Sequence, residues 1–233
     1  MKNNITTEPP QKEESSLMKI VQAIAISPEN ARCMVKQYSD QIRMNKPNLT
    51  DAQVKEILCK KIITRYSKLA ATTGGATALA GVIPGIGSVV SMVGGSMADI
   101  SACIKFQVDM TMCLALTLND KLEDEDAKHM SYIIALFGTI EQATSQGATK
   151  LASKAGVRMI NQYLKGPTLT TIKELFKKVG IQFTQKAATK VIPFGIGVVI
   201  GASANYALTK YVGKNALEFL QIHNDEASHL EAA

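Results

Sequence analysis

An all-α fold, built as a single multi-helix domain with two central Gly-rich apolar helical segments, is predicted by three observations. Apolar residues recur at helical spacing along most of the 233-residue chain, as in Leu17, Ile20, Val21 and Ile24, and no stretch alternates at period two. Helix-start signals stand where those runs begin: Ser27-Pro28-Glu29, and Thr50 followed by Gln53. Two uncharged segments, Leu69 to Ala98 and Val191 to Thr209, share the elements Val-Ile-Pro and, five residues after Pro, Val-Val. They look like one packing solution used twice. At 46% hydrophobic residues and only 5% aromatic, with no Trp, the core is one of small and aliphatic side chains suited to close helix packing.

In chain order, residues 1–15 are polar, contain Pro9-Pro10 and are expected to be a disordered tail ahead of a domain spanning 16–222. A first amphipathic helix follows from Leu17. A second starts at the Ser27 N-cap and runs to about Met44, where Asn45-Lys46-Pro47-Asn48 breaks it. The capping box at Thr50 opens a third, through Val54, Ile57, Leu58, Ile62 and Tyr66. Pro84 is expected to interrupt the first uncharged segment between Val82 and Gly87, with a long apolar helix after it, through Ile104, Val108 and Leu116 to near Asn119. Apolar on most sides, it is the expected central helix of the domain.

Acidic residues between Asp120 and Asp126 open the next helix, where the macrodipole favours them. The chain is expected to loosen from Gly138 to Gly147. A basic amphipathic helix from Leu151 to Leu164 ends at Gly166-Pro167, and another runs from Thr168 to Val179. Gln182 to Thr189 leads into the second uncharged segment, a helix from Tyr206 to Ile222 closes the fold, and 223–233 is an acidic, frayed end.

Net charge is +6, unevenly placed. Between Gln142 and Leu217 stand eleven Lys and Arg against one acid, Glu174. Such asymmetry points to an anionic partner. The aromatics of that half, Tyr163, Phe176 and Phe183 among them, form no stacking platform, and no helix-turn-helix spacing stands out, so nucleic acid is not expected. Anionic membrane lipid fits better, because the same half carries an apolar segment. The expected surface cations are Lys150, Lys154, Arg158, Lys165, Lys173, Lys177, Lys178, Lys186 and Lys190.

Two passages and their order resemble the EcsC family of bacterial proteins. One is the Gly- and Ala-rich run ending in GSMADISACIKFQVDMTMCLALTLND: small residues, an Asp, a long apolar helix containing a Gln, and a polar turn. The other is VIPFGIGVVIGASANYALTKYVGKNAL, with its Ile-Pro, its Gly-rich run, and an Asn-aromatic pair ahead of basic residues. With their separation they span roughly residues 55–220. The resemblance implies a helical fold and a membrane connection, since the family takes its name from a companion of an ABC-type exporter. It carries over no catalytic residues.

Gly85-Ile86-Gly87 and Gly195-Ile196-Gly197 begin like dinucleotide-binding loops, but each lacks the third Gly and neither follows a strand. They read as turns after Pro84 and Pro193. The following helices would present small faces, Gly87, Ser91 and Gly95 in one copy and Gly197, Gly201 and Asn205 in the other, to a neighbouring backbone. Three states remain open for these segments: a constitutive span, a buried hairpin in a soluble core, or a hairpin that inserts conditionally.

Asp99 and Asp109 are expected in apolar surroundings, with Lys105 and Asp109 pairing on the helix surface. Ten residues apart on one helix, the two acids stand about 15 Å apart, too far to share acid-base work. Cys33, Cys59, Cys103 and Cys113 form no CxxC pair and read as buried free thiols, and the three His lack a metal-ligand spacing. No GxSxG, Walker A lysine or nucleophile-base pair is present.

No catalytic residue, cofactor or metal is therefore expected. MKNNITTEPPQKEESS has no apolar run behind its Lys, so a cytoplasmic setting is expected, peripheral to the inner face of the membrane. The expected function is non-enzymatic docking on anionic lipid, with the apolar segments inserting or holding a lipid chain. A pore-forming effector and a soluble adaptor for a protein partner, such as a transporter component, are the alternatives.

Overall fold

The computed structural model describes residues 11–72, 95–143, 150–189 and 202–231, which form eight helices and, among the described residues, no strand. The first three are α1 (Gln11–Ile24), α2 (Pro28–Asn45) and α3 (Asp51–Ala71). Local chemistry sets their starts. Ser27 Oγ accepts the Asn30 N–H at 3.2 Å, with Pro28 supplying a residue that has no N–H to lose. At α3 the capping box closes in both directions: Gln53 N–H donates to Thr50 Oγ1 at 3.3 Å, and Thr50 N–H to Gln53 Oε1 at 2.9 Å.

The expected central helix is α4 (Gly95–Leu118). From Ser101 to Thr117 every residue except Lys105 is buried. Five helices enclose it: α1, α2, α3, the following α5 (Asp124–Ala143), and the last, α8 (Ala202–Glu231). Between them, α6 (Lys154–Lys165) packs on α5 and α8, and α7 (Thr168–Thr189) packs on α5 and α1. Residues 98–118 are also long and apolar enough to cross a membrane, but 89% of their apolar window lies inside the protein. Core burial accounts for that composition.

Several boundaries differ from the sequence expectation. α1 begins at Gln11, inside the expected tail. α5 continues through Gly138 to Ala143, well into the expected loosening, the rest of which lies outside the described residues. There the missing side chain serves packing: a Cβ on Gly138 would stand 3.4 Å from both Val212 methyl carbons of α8. α7 runs unbroken through Gly180, and α8 starts earlier, at Ala202, and ends later, at Glu231. Favourable tertiary contact along one face outweighs the weak helix propensity of a single Gly.

Arg32 ties α2 to the loop between α4 and α5. Its guanidinium donates to the carbonyls of Asp120, at 2.7 Å, and Leu122, and forms an ion pair with Asp124 at 3.0 Å. Of the cysteines, Cys59, Cys103 and Cys113 are buried, and burial pushes each thiol up to about 12. Cys33 is exposed on α2, contrary to the expected burial, because two residues on from buried Ala31 it falls on the other side of the helix.

Candidate functional site

Two sets of residues carry the chemistry of this chain: the exposed cations of α6 and α7, and a polar network buried along α4. α6 starts at Ser153, whose Oγ accepts the Gly156 N–H at 3.1 Å. Val157 and Ile160 face the core, so Lys154, Arg158 and Lys165 are left on the solvent side. On α7 the buried residues Ile172, Leu175, Phe176 and Val179 likewise leave Lys173, Lys177 and Lys178 exposed. None of these six cations has a carboxylate within ion-pair distance among the described residues. Lys150 is exposed in the turn before α6. Lys186 lies on α7, and Lys190 falls outside the described residues.

Most of the expected hairpin residues cannot be placed against this surface. Pro84, Gly85, Gly87, Ser91, Pro193, Gly195, Gly197 and Gly201 lie outside the described residues. Gly95 is the first residue of α4, and Asn205 sits half-buried in the first turn of α8.

The Lys105–Asp109 pair forms, but not on the surface. The two side chains are 12% and 3% exposed, and Asp109 Oδ1 also accepts the Ile26 N–H at 2.8 Å. Burial raises the Asp109 carboxyl above its ordinary value, opposed by the Lys105 ammonium and the Ile26 N–H. α4 is surrounded so completely that even its polar stripe faces another segment, the link between α1 and α2. Asp99 is half-buried rather than buried. Its Oδ1 has no hydrogen-bond partner among the described residues, and loss of solvent raises its carboxyl.

Of the other members of the network, only Gln107 entered the sequence reading, as the Gln of the apolar helix that resembles the family. Gln107, fully buried, accepts the Thr139 hydroxyl at 2.5 Å and so joins α4 to α5. Glu141 accepts the Tyr211 hydroxyl at 2.8 Å and the Leu151 N–H at 2.9 Å, joining α5, α8 and the turn before α6. Single polar residues in apolar helices carry no spacing rule that pairs them across 32 or 70 positions. These bonds join backbone and side chains in structural pairs, and no group of three or more His, Cys, Asp or Glu that could hold a metal occurs among the described residues.

An open hollow of about 570 Å³ lies between α2, α3 and the end of α4. Its arginines are already engaged, Arg43 by Asp51 at 2.7 Å and Arg32 by Asp124.

No curated protein and no solved structure matches this chain. A family model described as the EcsC protein family matches residues 3–222 of the 233, taking in seven of the helices whole and α8 as far as Ile222. With that match covering nearly the whole sequence, the chain belongs to the EcsC protein family.

Proposed function

We propose that this protein is a non-enzymatic, membrane-associated protein of the cytoplasmic face that docks on anionic lipid. The cations of α6 and α7 would make the contact, and the uncharged segments would insert or hold an apolar ligand such as a lipid chain. One observation carries this reading: Lys154, Arg158, Lys165, Lys173, Lys177 and Lys178 all stand exposed, with Glu174 the one acid between residues 150 and 189. Each cation brought to an anionic surface contributes about 1 kcal/mol, so four or five acting together decide localisation.

The test is co-flotation of the purified full chain with liposomes, with and without anionic lipid, at low and high salt, while release of an entrapped dye is followed. Flotation only with anionic lipid, lost at high salt, without dye release, is the expected result. Dye release would replace docking with the pore-forming reading. Protein that stays at the bottom of every gradient would overturn docking in favour of an adaptor for a protein partner.

A further inference from the structure

A separate group of cations lies on α3, which packs on α2, α4 and α8. Lys60, Lys61, Arg65 and Lys68, with Thr64 and Thr72, line an open hollow of about 610 Å³ on the second half of that helix. Glu56 neutralises Lys60 at 2.5 Å. Lys61, Arg65 and Lys68 have no carboxylate partner among the described residues.

Two of these charges are held side by side. The Lys61 ammonium stands 4.3 Å from the centroid of the Tyr38 ring, and the Arg65 guanidinium carbon stands 5.7 Å from the same centroid. Gln41 Oε1 accepts from Lys61 at 3.3 Å. Like charges four residues apart weaken a helix, so the contacts with Tyr38 and Gln41 of α2 hold the pair in place without stabilising α3 itself. The macrodipole favours a cation only in the last turn, which accounts for Lys68 but not for Lys61 or Arg65 farther back.

The sequence supplies the second observation. Immediately after Lys68 begins the thirty-residue uncharged stretch Leu69 to Ala98. A cluster of cations directly ahead of an apolar segment is the pattern that anionic headgroups attract at a membrane surface.

We propose that Lys61, Arg65 and Lys68 form a second contact with the headgroup phosphates of an anionic bilayer. This contact rests on the docking reading and extends it by adding a group of cations on a different helix to those of α6 and α7. Thr64 beside the cations adds a hydroxyl donor for phosphate oxygens, and the arginine supplies a planar fork.

The experiment compares three full-length proteins on vesicles of phosphatidylcholine, alone or mixed with phosphatidylglycerol: the wild type, Lys61→Gln/Arg65→Gln/Lys68→Gln, and Lys154→Gln/Arg158→Gln/Lys173→Gln. All six positions are exposed, and a thermal melt of each variant verifies its fold. Since each surface cation is worth about fivefold in partitioning, the α3 variant is expected to bind anionic vesicles roughly a hundredfold more weakly than the wild type. Unchanged binding by the α3 variant, beside loss by the other, would overturn the α3 contact and leave docking in place. A wild type that ignores anionic vesicles would remove the docking reading itself, and the α3 contact with it. Acetylation of the wild type guards against a variant that misfolds: Lys61 and Lys68 should be protected by anionic and not by zwitterionic vesicles, and equal labelling in both would also overturn the contact.

Discussion

The backbone N–H of Ile26 donates to Oδ1 of Asp109 at 2.8 Å, a bond that spans 83 positions of sequence and fastens the α1–α2 link to the core helix. Oδ2 of the same carboxylate takes the Lys105 ammonium. Replacing Asp109 with Ala strands a buried donor and a nearly buried cation, and is expected to cost about 3–5 kcal/mol in urea denaturation. Asp109→Asn retains an acceptor for Ile26 but leaves Lys105 uncompensated. Lys105→Met/Asp109→Asn should therefore be more stable than Asp109→Asn alone, and a double variant less stable than the single one would show that the pair is not what the site requires.

Glu141 performs a similar service at the other side of the core. Its two carboxylate oxygens accept from Tyr211 and from the Leu151 N–H, so one side chain fixes α8 and the entry to α6 against α5. Burial, with Glu141 beside it, pushes the Tyr211 hydroxyl up to about 12. Glu141→Ala should lower stability by roughly 1–3 kcal/mol, the penalty of an unmet buried donor, and Tyr211→Phe by about 1 kcal/mol, because Leu151 still satisfies the acid. The reverse ranking in denaturant midpoints would contradict this division of roles.

These two acids show what the sequence does and does not reveal. Caps at Ser27 and Thr50 depend on neighbours three residues away, and the apolar periods of α1, α3 and α4 depend on neighbours within two turns, so all were legible. The Lys105–Asp109 pairing was legible for the same reason, although its burial was not, since burial depends on which segments cross α4. Glu141, Gln107 and Thr139 meet partners set by the packing of whole helices. Gly138 and Gly180 look like breaks in a local reading and are interior residues of helices once packing is in place. The cations of α6 and α7 were visible as composition, whereas those of α3 stood in plain sequence at four- and three-residue spacing and were obscured by the more even charge of their half.

His223, on the last helix, stacks on Phe219 with ring centroids 5.8 Å apart. Its Nδ1 is buried without a partner among the described residues, and loss of solvent holds the imidazole below the ordinary value of 6.5, with Glu226 opposing. The unfolded chain then binds a proton that the folded one refuses, so stability is present above 6.5 and is lost as pH falls through and below it. His223→Phe keeps a stacking ring and has no proton to gain. Urea midpoints taken at about pH 7.5 and pH 5.5 should fall less for this variant than for the wild type. Equal losses in both would place the acid sensitivity elsewhere.

The crossing of α8 over α3 and α4 depends on the absence of a side chain at Gly213. A Cβ there would stand 2.8 Å from Sδ of Met110, 3.0 Å from its Cε and 3.1 Å from Cγ1 of Ile63. Met110 is fully buried and has little room to retreat. Alanine in mid-helix would gain up to about 1 kcal/mol in propensity, while overpacking costs about 1–3 kcal/mol, so Gly213→Ala should destabilise on balance. Met110→Ala alone should cost about 2–5 kcal/mol by leaving a cavity. In the double variant the new methyl enters the space that Met110 vacates, and the combined loss should fall short of the sum by about 0.5–3 kcal/mol. Strict additivity in that cycle would mean that α8 does not approach the core helix this closely in solution.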